Sequence, residues 1–104
     1  MNAASEPVTI DHERSGHGGR FVHRSEGTEA ELTYANAPAS GDTPQVIADH
    51  TFVPDSMRGQ GIAARLTDAL IAAARHEGWK VIPHCSYVVT AFRRHPEWND
   101  VLAD

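Results

Sequence analysis

"SMRGQGIAARLTDALIAAARHEGWKVIPHCSYV", residues Ser56 to Val88, decides the fold. Ile62, Leu66, Leu70 and Ala73 recur at intervals of four and three, which draws one apolar stripe along a helix and leaves Arg65, Asp68, Arg75 and Glu77 off it. The run of alanines favours the same helix, and Gly78 suits its C-terminal cap. "WKVIPHC" (79–85) then changes to a strand pattern, and "SYVVTAFRR" (86–94) reads as a second helix that ends near His95-Pro96. On the upstream side "QVIADHTFV" (45–53) is an apolar strand stopped by Pro54. A helix between two strands predicts a parallel pair joined by a right-handed crossover.

Before that unit the pattern is short and alternating. "VTIDHER" (8–14), "RFVHR" (20–24) and "EAELTYANA" (29–37) are separated by glycine-bearing turns and predict an antiparallel three-strand meander, with "PASGDTP" (38–44) as a loop. The expected order is β-β-β-β-α-β-α, an α+β fold whose mixed sheet is mostly antiparallel, with its one parallel pair flanking the glycine turn. Residues 1–6 read as a flexible tail and residues 7–104 as one domain, because 104 residues support a single core.

Composition narrows the function. A net charge of -5 argues against general nucleic-acid binding, which needs a basic surface. The charge is unevenly spread. Residues 1–55 carry three arginines against nine carboxylates, whereas residues 56–104 carry six basic groups against five acidic ones, so a small polyanion fits beside the quoted stretch. Cys85 is the only cysteine, which excludes an internal disulfide framework. "MNAASEPV" has neither a basic nor an apolar leader region, and no apolar run approaches membrane-spanning length; a cytoplasmic protein with no membrane partner is expected, as a monomer or weak dimer. The seven histidines are scattered without the paired spacing of a zinc site, so no metal is expected.

The glycine turn carries the chemistry. The first N–H groups of a helix lack intrahelical partners and the helix dipole adds positive potential there. Gly59 and Gly61 remove side chains that would keep an anion from those amides, and Arg58 adds a charge with several donors. A Walker A loop fails for want of the following lysine. "GQGIAA" matches Gly-x-Gly-x-x-Ala, but a dinucleotide domain needs several strand–helix–strand units and an acidic residue closing the next strand, where Cys85 stands.

Arg58-x-x-Gly61-x-Ala63 resembles the Arg/Gln-x-x-Gly-x-Gly/Ala signature of GCN5-related N-acetyltransferases. "HTFVP", "RGQGIAARL", "GWKVIPHCSYV" and "HPEW", in that order, are similar to a small single-domain branch of that family, over roughly His50 to Trp98. The resemblance implies acetyl-CoA as co-substrate, its pantetheine along Phe52 and Val53 and its pyrophosphate on Arg58, Gly59 and the amides of Gln60, Gly61, Ile62 and Ala63. It also implies an amine acceptor, protein or small molecule. Arg94, with Arg93, falls in the last turn of the second helix and reads either as a contact for the ribose phosphate or as favourable charge at a helix C-terminus. Cys85 and His50 match the branch's active-site pair, Cys85 as a thiol that accepts the acetyl group and His50 as base or acceptor. A helix N-terminus favours thiolate there. The residues themselves leave alternatives open: a lone cysteine also serves as a small buried hydrophobe, and a strand histidine as a neighbour's hydrogen-bond partner. Tyr87 reads either as the acid that protonates the leaving thiolate or as a rim aromatic. His84, Trp79 and Trp98 read as structural. Only a hairpin fits "ERSGHGGR" where larger family members place helices, so the acceptor side is expected to be open. Two functions follow: an acetyltransferase, or a coenzyme A binding module without turnover.

Overall fold

The computed structural model describes residues 8–104. The proposed tail, 1–6, lies outside them. Five strands form one sheet in chain order: β1 (Asp11–Arg14), β2 (Gly18–Ser25), β3 (Thr28–Ser40), β4 (Thr43–Phe52) and β5 (Lys80–Pro83). The first three pairings are antiparallel and β4 with β5 is parallel, across the helix α1 (Ile62–Glu77). α2 (Ser86–Arg94) and a 3₁₀ segment, Pro96–Val101, complete the chain. The expected order and the single parallel pair are both present.

The structure differs in detail from the sequence reading, and β1 begins at Asp11 rather than Val8. Residues 38–44 are not a loop: β3 and β4 run on to a two-residue turn, Ser40 facing Thr43, because Gly41 supplies the positive φ that a hairpin turn needs at its first central position. β5 ends at Pro83, so Cys85 caps α2 rather than closing the strand; the N–H groups of both His84 and Cys85 turn onto the single Ala48 carbonyl as the chain enters the helix. The buried stripe of α1 passes through Ile71 and Ala74 instead of Ala73, as a 3.6-residue period requires.

One core joins these elements. Phe21, Ala30, Leu32, Tyr34, Val46, Ala48 and Val81 meet Ile62, Leu66 and Leu70 of α1 and Val88 and Phe92 of α2. Each fully buried leucine contributes roughly 1.5–3 kcal/mol. The residues alternating with them on β1, β2 and β3 form a charged lattice: Arg20 bonds Glu13, Glu29 and Glu31 at 2.8 to 3.0 Å, and Arg24 bonds Glu13 and Glu29 at 2.7 Å. Hydrogen bonds from Arg24 and then Arg20 hold Glu13 and Glu29 below the usual carboxylate range.

The β1–β2 hairpin is fastened by aromatic contact. His12 stacks on Phe21 at 4.2 Å, its Nε2 and the Tyr34 hydroxyl share a 2.6 Å hydrogen bond, and Trp79 closes the group edge-on. Gly18 lets β2 lie tightly on β3, since a Cβ there would sit 2.1 Å from the Tyr34 carbonyl oxygen. Gly18→Ala should therefore destabilise the protein by about 2 kcal/mol, read by urea unfolding; an unchanged midpoint would contradict the packing.

Burial, followed by the charge of Arg14, lowers the pKa of His12. The folded state thus prefers the neutral imidazole, the unfolded chain binds the proton more readily, and stability rises with pH. His12 should stabilise fully above the ordinary histidine value of 6.5 and lose that contribution as pH falls below it. Unfolding free energies at about pH 7.5 and about pH 5.5 should differ less in His12→Gln than in the wild type; equal differences would refute this.

Candidate functional site

The parallel ladder between β4 and β5 is short, running from Gln45 opposite Lys80 to Ala48 opposite Pro83. At its end the Ala48 carbonyl accepts the N–H groups of both His84 and Cys85, each at 3.0 Å. The chain then leaves β4 and starts α2, while the rest of β4 keeps only β3 as partner: His50 pairs Thr33, Thr51 pairs Leu32 and Phe52 pairs Glu31. Asp49 is the extra residue of a β-bulge, since Tyr34 faces Ala48 and Thr33 faces His50. A cleft therefore opens between the end of β4 and the N-terminus of α2, with unpaired β4 backbone along one wall.

The glycine turn lies at the mouth of this cleft. Pro54 ends β4, the 3₁₀ turn Asp55–Met57 buries Met57, and α1 begins on buried Ile62. Between these anchors Gly59 and Gly61 adopt φ values of 81° and 72°, a left-handed backbone that favours glycine. A Cβ at either position would meet no protein atom within 4 Å. The glycines thus serve the backbone and leave the outer side of the turn clear. Gly61 caps α1 with no side-chain bond to its first amides, and the first turn carries no acidic residue. That is the electrostatic setting an anion requires.

Around the turn, a hollow of about 200 Å³ is lined by Val53, Arg58, Gly59, Gly61, Ile62, Ala63 and, from α2, Tyr87. Arg58 is exposed and turned back: its Nε lies 3.2 Å from Asp55 Oδ1 and 3.4 Å from the Val53 carbonyl oxygen. Gln60 folds its amide onto the Ser56 carbonyl at 3.2 Å, leaving the loop's outer side bare. A larger hollow of about 450 Å³ lies over the β1–β2 turn, but Glu13 there is committed to Arg20 and Arg24.

The remaining sequence candidates are distributed as follows. Cys85 is half-buried, and its Sγ is 3.4 Å from Thr51 Oγ1. His50 precedes Thr51 on an extended strand and so takes the other face, where its Nε2 stands 3.9 Å from Glu31 Oε2. No hydrogen bond links His50 to Cys85 among the described residues. Phe52 is exposed at the strand end and Tyr87 is exposed in the first turn of α2. Arg93 and Arg94 sit in the last turn of α2, about 12 Å along the helix from Ser86, exposed and without a hydrogen bond or ion pair among the described residues. His84 is exposed, and Trp79 and Trp98 are buried in the core.

Thr51 and the Asp49 bulge escaped the sequence reading. A threonine in a strand is an ordinary strand former, and the bulge shows only once the β3 register is known. Among the described residues no group of three His, Cys, Asp or Glu side chains is placed to hold a metal, and no helix is long and apolar enough to cross a membrane.

Comparison with known proteins agrees with this fold. The ribosomal-protein-alanine N-acetyltransferase of Brucella melitensis biovar Abortus 2308 superposes with a TM-score of 0.62 at 24% identity, over 86% of this chain and 66% of that one. The chain thus spans just under two thirds of that relative. A GCN5-like protein of Staphylococcus aureus superposes with a TM-score of 0.63 at 24% identity, over 89% of this chain and 87% of its own. At this identity the likeness establishes the fold. The family model for GCN5-related N-acetyl-transferases matches residues 20–101, and the chain belongs to that family.

Proposed function

We propose that this protein is an acetyl-CoA-dependent N-acetyltransferase with an open acceptor site. The observation that carries the reading is the uncapped start of α1 behind two left-handed glycines, opening onto the cleft where β4 and β5 part. The cradle suits a pyrophosphate: amides of Gly59 to Ala63 present donors, bare glycine backbone admits the phosphate oxygens, and Arg58 lies at the rim. The unpaired edge of β4 through Phe52 and Val53 suits an amide-bearing chain, which can add to it as a strand would. Arg93 and Arg94 bear positive charge for a further phosphate.

The thioester supplies an activated acetyl group. Transfer needs an unprotonated nucleophile, and Cys85, half-buried at the head of α2, is the candidate assigned to it. With its proton lost to water, the Cys85 sulfur attacks the thioester carbon; the new carbon–sulfur bond replaces the old one, and the departing thiolate takes a proton from the Tyr87 hydroxyl or from water. An amine acceptor then takes the acetyl group and releases the Cys85 thiol. His50 is exposed beside Glu31 on the other face of β4 from Cys85, and no step of this transfer is assigned to it. The exposure of Phe52, Tyr87 and His50 favours a second reading, a module that holds acetyl-CoA without turnover.

Free-thiol release from acetyl-CoA, measured with polyamine and peptide amines beside intact mass of the protein, separates the two. Turnover, or one acetyl group on Cys85 that is lost in Cys85→Ala, is the expected outcome; saturable binding with neither would establish the module. Arg58→Ala should weaken acetyl-CoA binding about tenfold in calorimetry, the scale of one charged hydrogen bond. Asp55→Asn should tighten it by about two- to fivefold by freeing Arg58, the worth of one exposed ion pair. An unchanged affinity in both variants would remove Arg58 from the site.

A further inference from the structure

We infer that Thr51 is a positioning residue for Cys85, and that its hydroxyl, rather than His50, is the group that orients the thiol in the cleft. The inference rests on the reading of Cys85 as the acetyl-accepting thiol.

Every other polar bond that could orient Cys85 is already spent on backbone. Its N–H goes to the Ala48 carbonyl, shared with His84, and its carbonyl accepts the Val89 N–H to start α2. The side chain makes no capping bond to the amides of its own helix. The sulfur instead meets Thr51 Oγ1 at 3.4 Å, and that contact is the only hydrogen bond of either side chain among the described residues. It joins the last stretch of β4 to the start of α2 across the cleft, at the point where backbone pairing has stopped.

The Asp49 bulge makes this contact possible. With one extra residue in β4, Thr51 pairs Leu32 and points with it toward the core side, while His50 pairs Thr33 and points toward Glu31. An unbulged strand would reverse that assignment, bringing the histidine to Cys85 and turning the threonine away. Threonine suits the role physically. Its hydroxyl donates to an ionised sulfur and accepts from a protonated one, and its branched Cβ restricts the side chain to few rotamers.

The test compares wild type with Thr51→Val, which keeps the shape and removes the hydroxyl, and Thr51→Ser, which keeps the hydroxyl. The readouts are the second-order rate of Cys85 alkylation by iodoacetamide at neutral pH and acetylation of Cys85 by acetyl-CoA, with circular dichroism confirming folded samples. Thr51→Val should slow alkylation by about tenfold, the scale of one hydrogen bond to a charged group, and Thr51→Ser should recover at least half the wild-type rate. His50→Ala should leave alkylation within about twofold, in keeping with its place on the other face. Alkylation in Thr51→Val equal to wild type, or a large loss in His50→Ala, would overturn the inference. Slower alkylation in Thr51→Val together with a wild-type Cys85 that is never acetylated would keep the positioning role and refute the thiol as acetyl acceptor.

Discussion

The carbonyl of Ala48 accepts two N–H groups, from His84 and Cys85, and that shared acceptor terminates the parallel pairing of β4 with β5. Beyond it β4 runs on with a free edge, α2 departs with Cys85 at its head, and the glycine turn reaches the mouth of the opening from the other end of the crossover. A parallel pair that continued for two more residues would have buried all three under one ladder. The cleft is thus a consequence of hydrogen-bond accounting at one peptide group.

Around this break the protein distributes its stability unevenly. The core below the cleft is continuous, from Phe21 and Leu32 through Leu66 and Leu70 to Val88, and the β1–β2 hairpin is secured by the His12, Phe21, Tyr34 and Trp79 rings and by the arginine–carboxylate lattice. The turn that forms the candidate cradle has only Met57 and Ile62 as buried anchors. Its left-handed glycines hold the backbone in a shape other residues would resist, and their absent side chains face outward. Ordering is concentrated in the core and the hairpin, and the bare backbone lies at the glycine turn.

Much of this was legible in the sequence. The stripe of α1, the turn at Gly59 and Gly61, and the strand–helix–strand order that demands a parallel pair are all local patterns, and local patterns survive folding. The extension of β3 and β4 through residues 38–44 was hidden because prolines, serine and glycine read as loop, although prolines at an exposed ladder end cost little. The relation between His50 and Cys85 was beyond reach for a different reason. Whether a strand residue faces core or solvent depends on register, and the single extra residue at Asp49 sets the facing of everything after it. Sequence offered the histidine and the cysteine as a pair; three-dimensional pairing gave each a different partner, Glu31 and Thr51.

The central claim, that the glycine turn is the coenzyme A site, is tested most directly by titrating the isotopically labelled protein with acetyl-CoA and following its backbone amide resonances. The account predicts saturable shifts concentrated on the amides of Gly59, Gln60, Gly61, Ile62 and Ala63 and along Phe52 and Val53. Shifts confined to another surface, or none at saturating concentration in the folded protein, would contradict it and leave the turn as a connection between β4 and α1 alone.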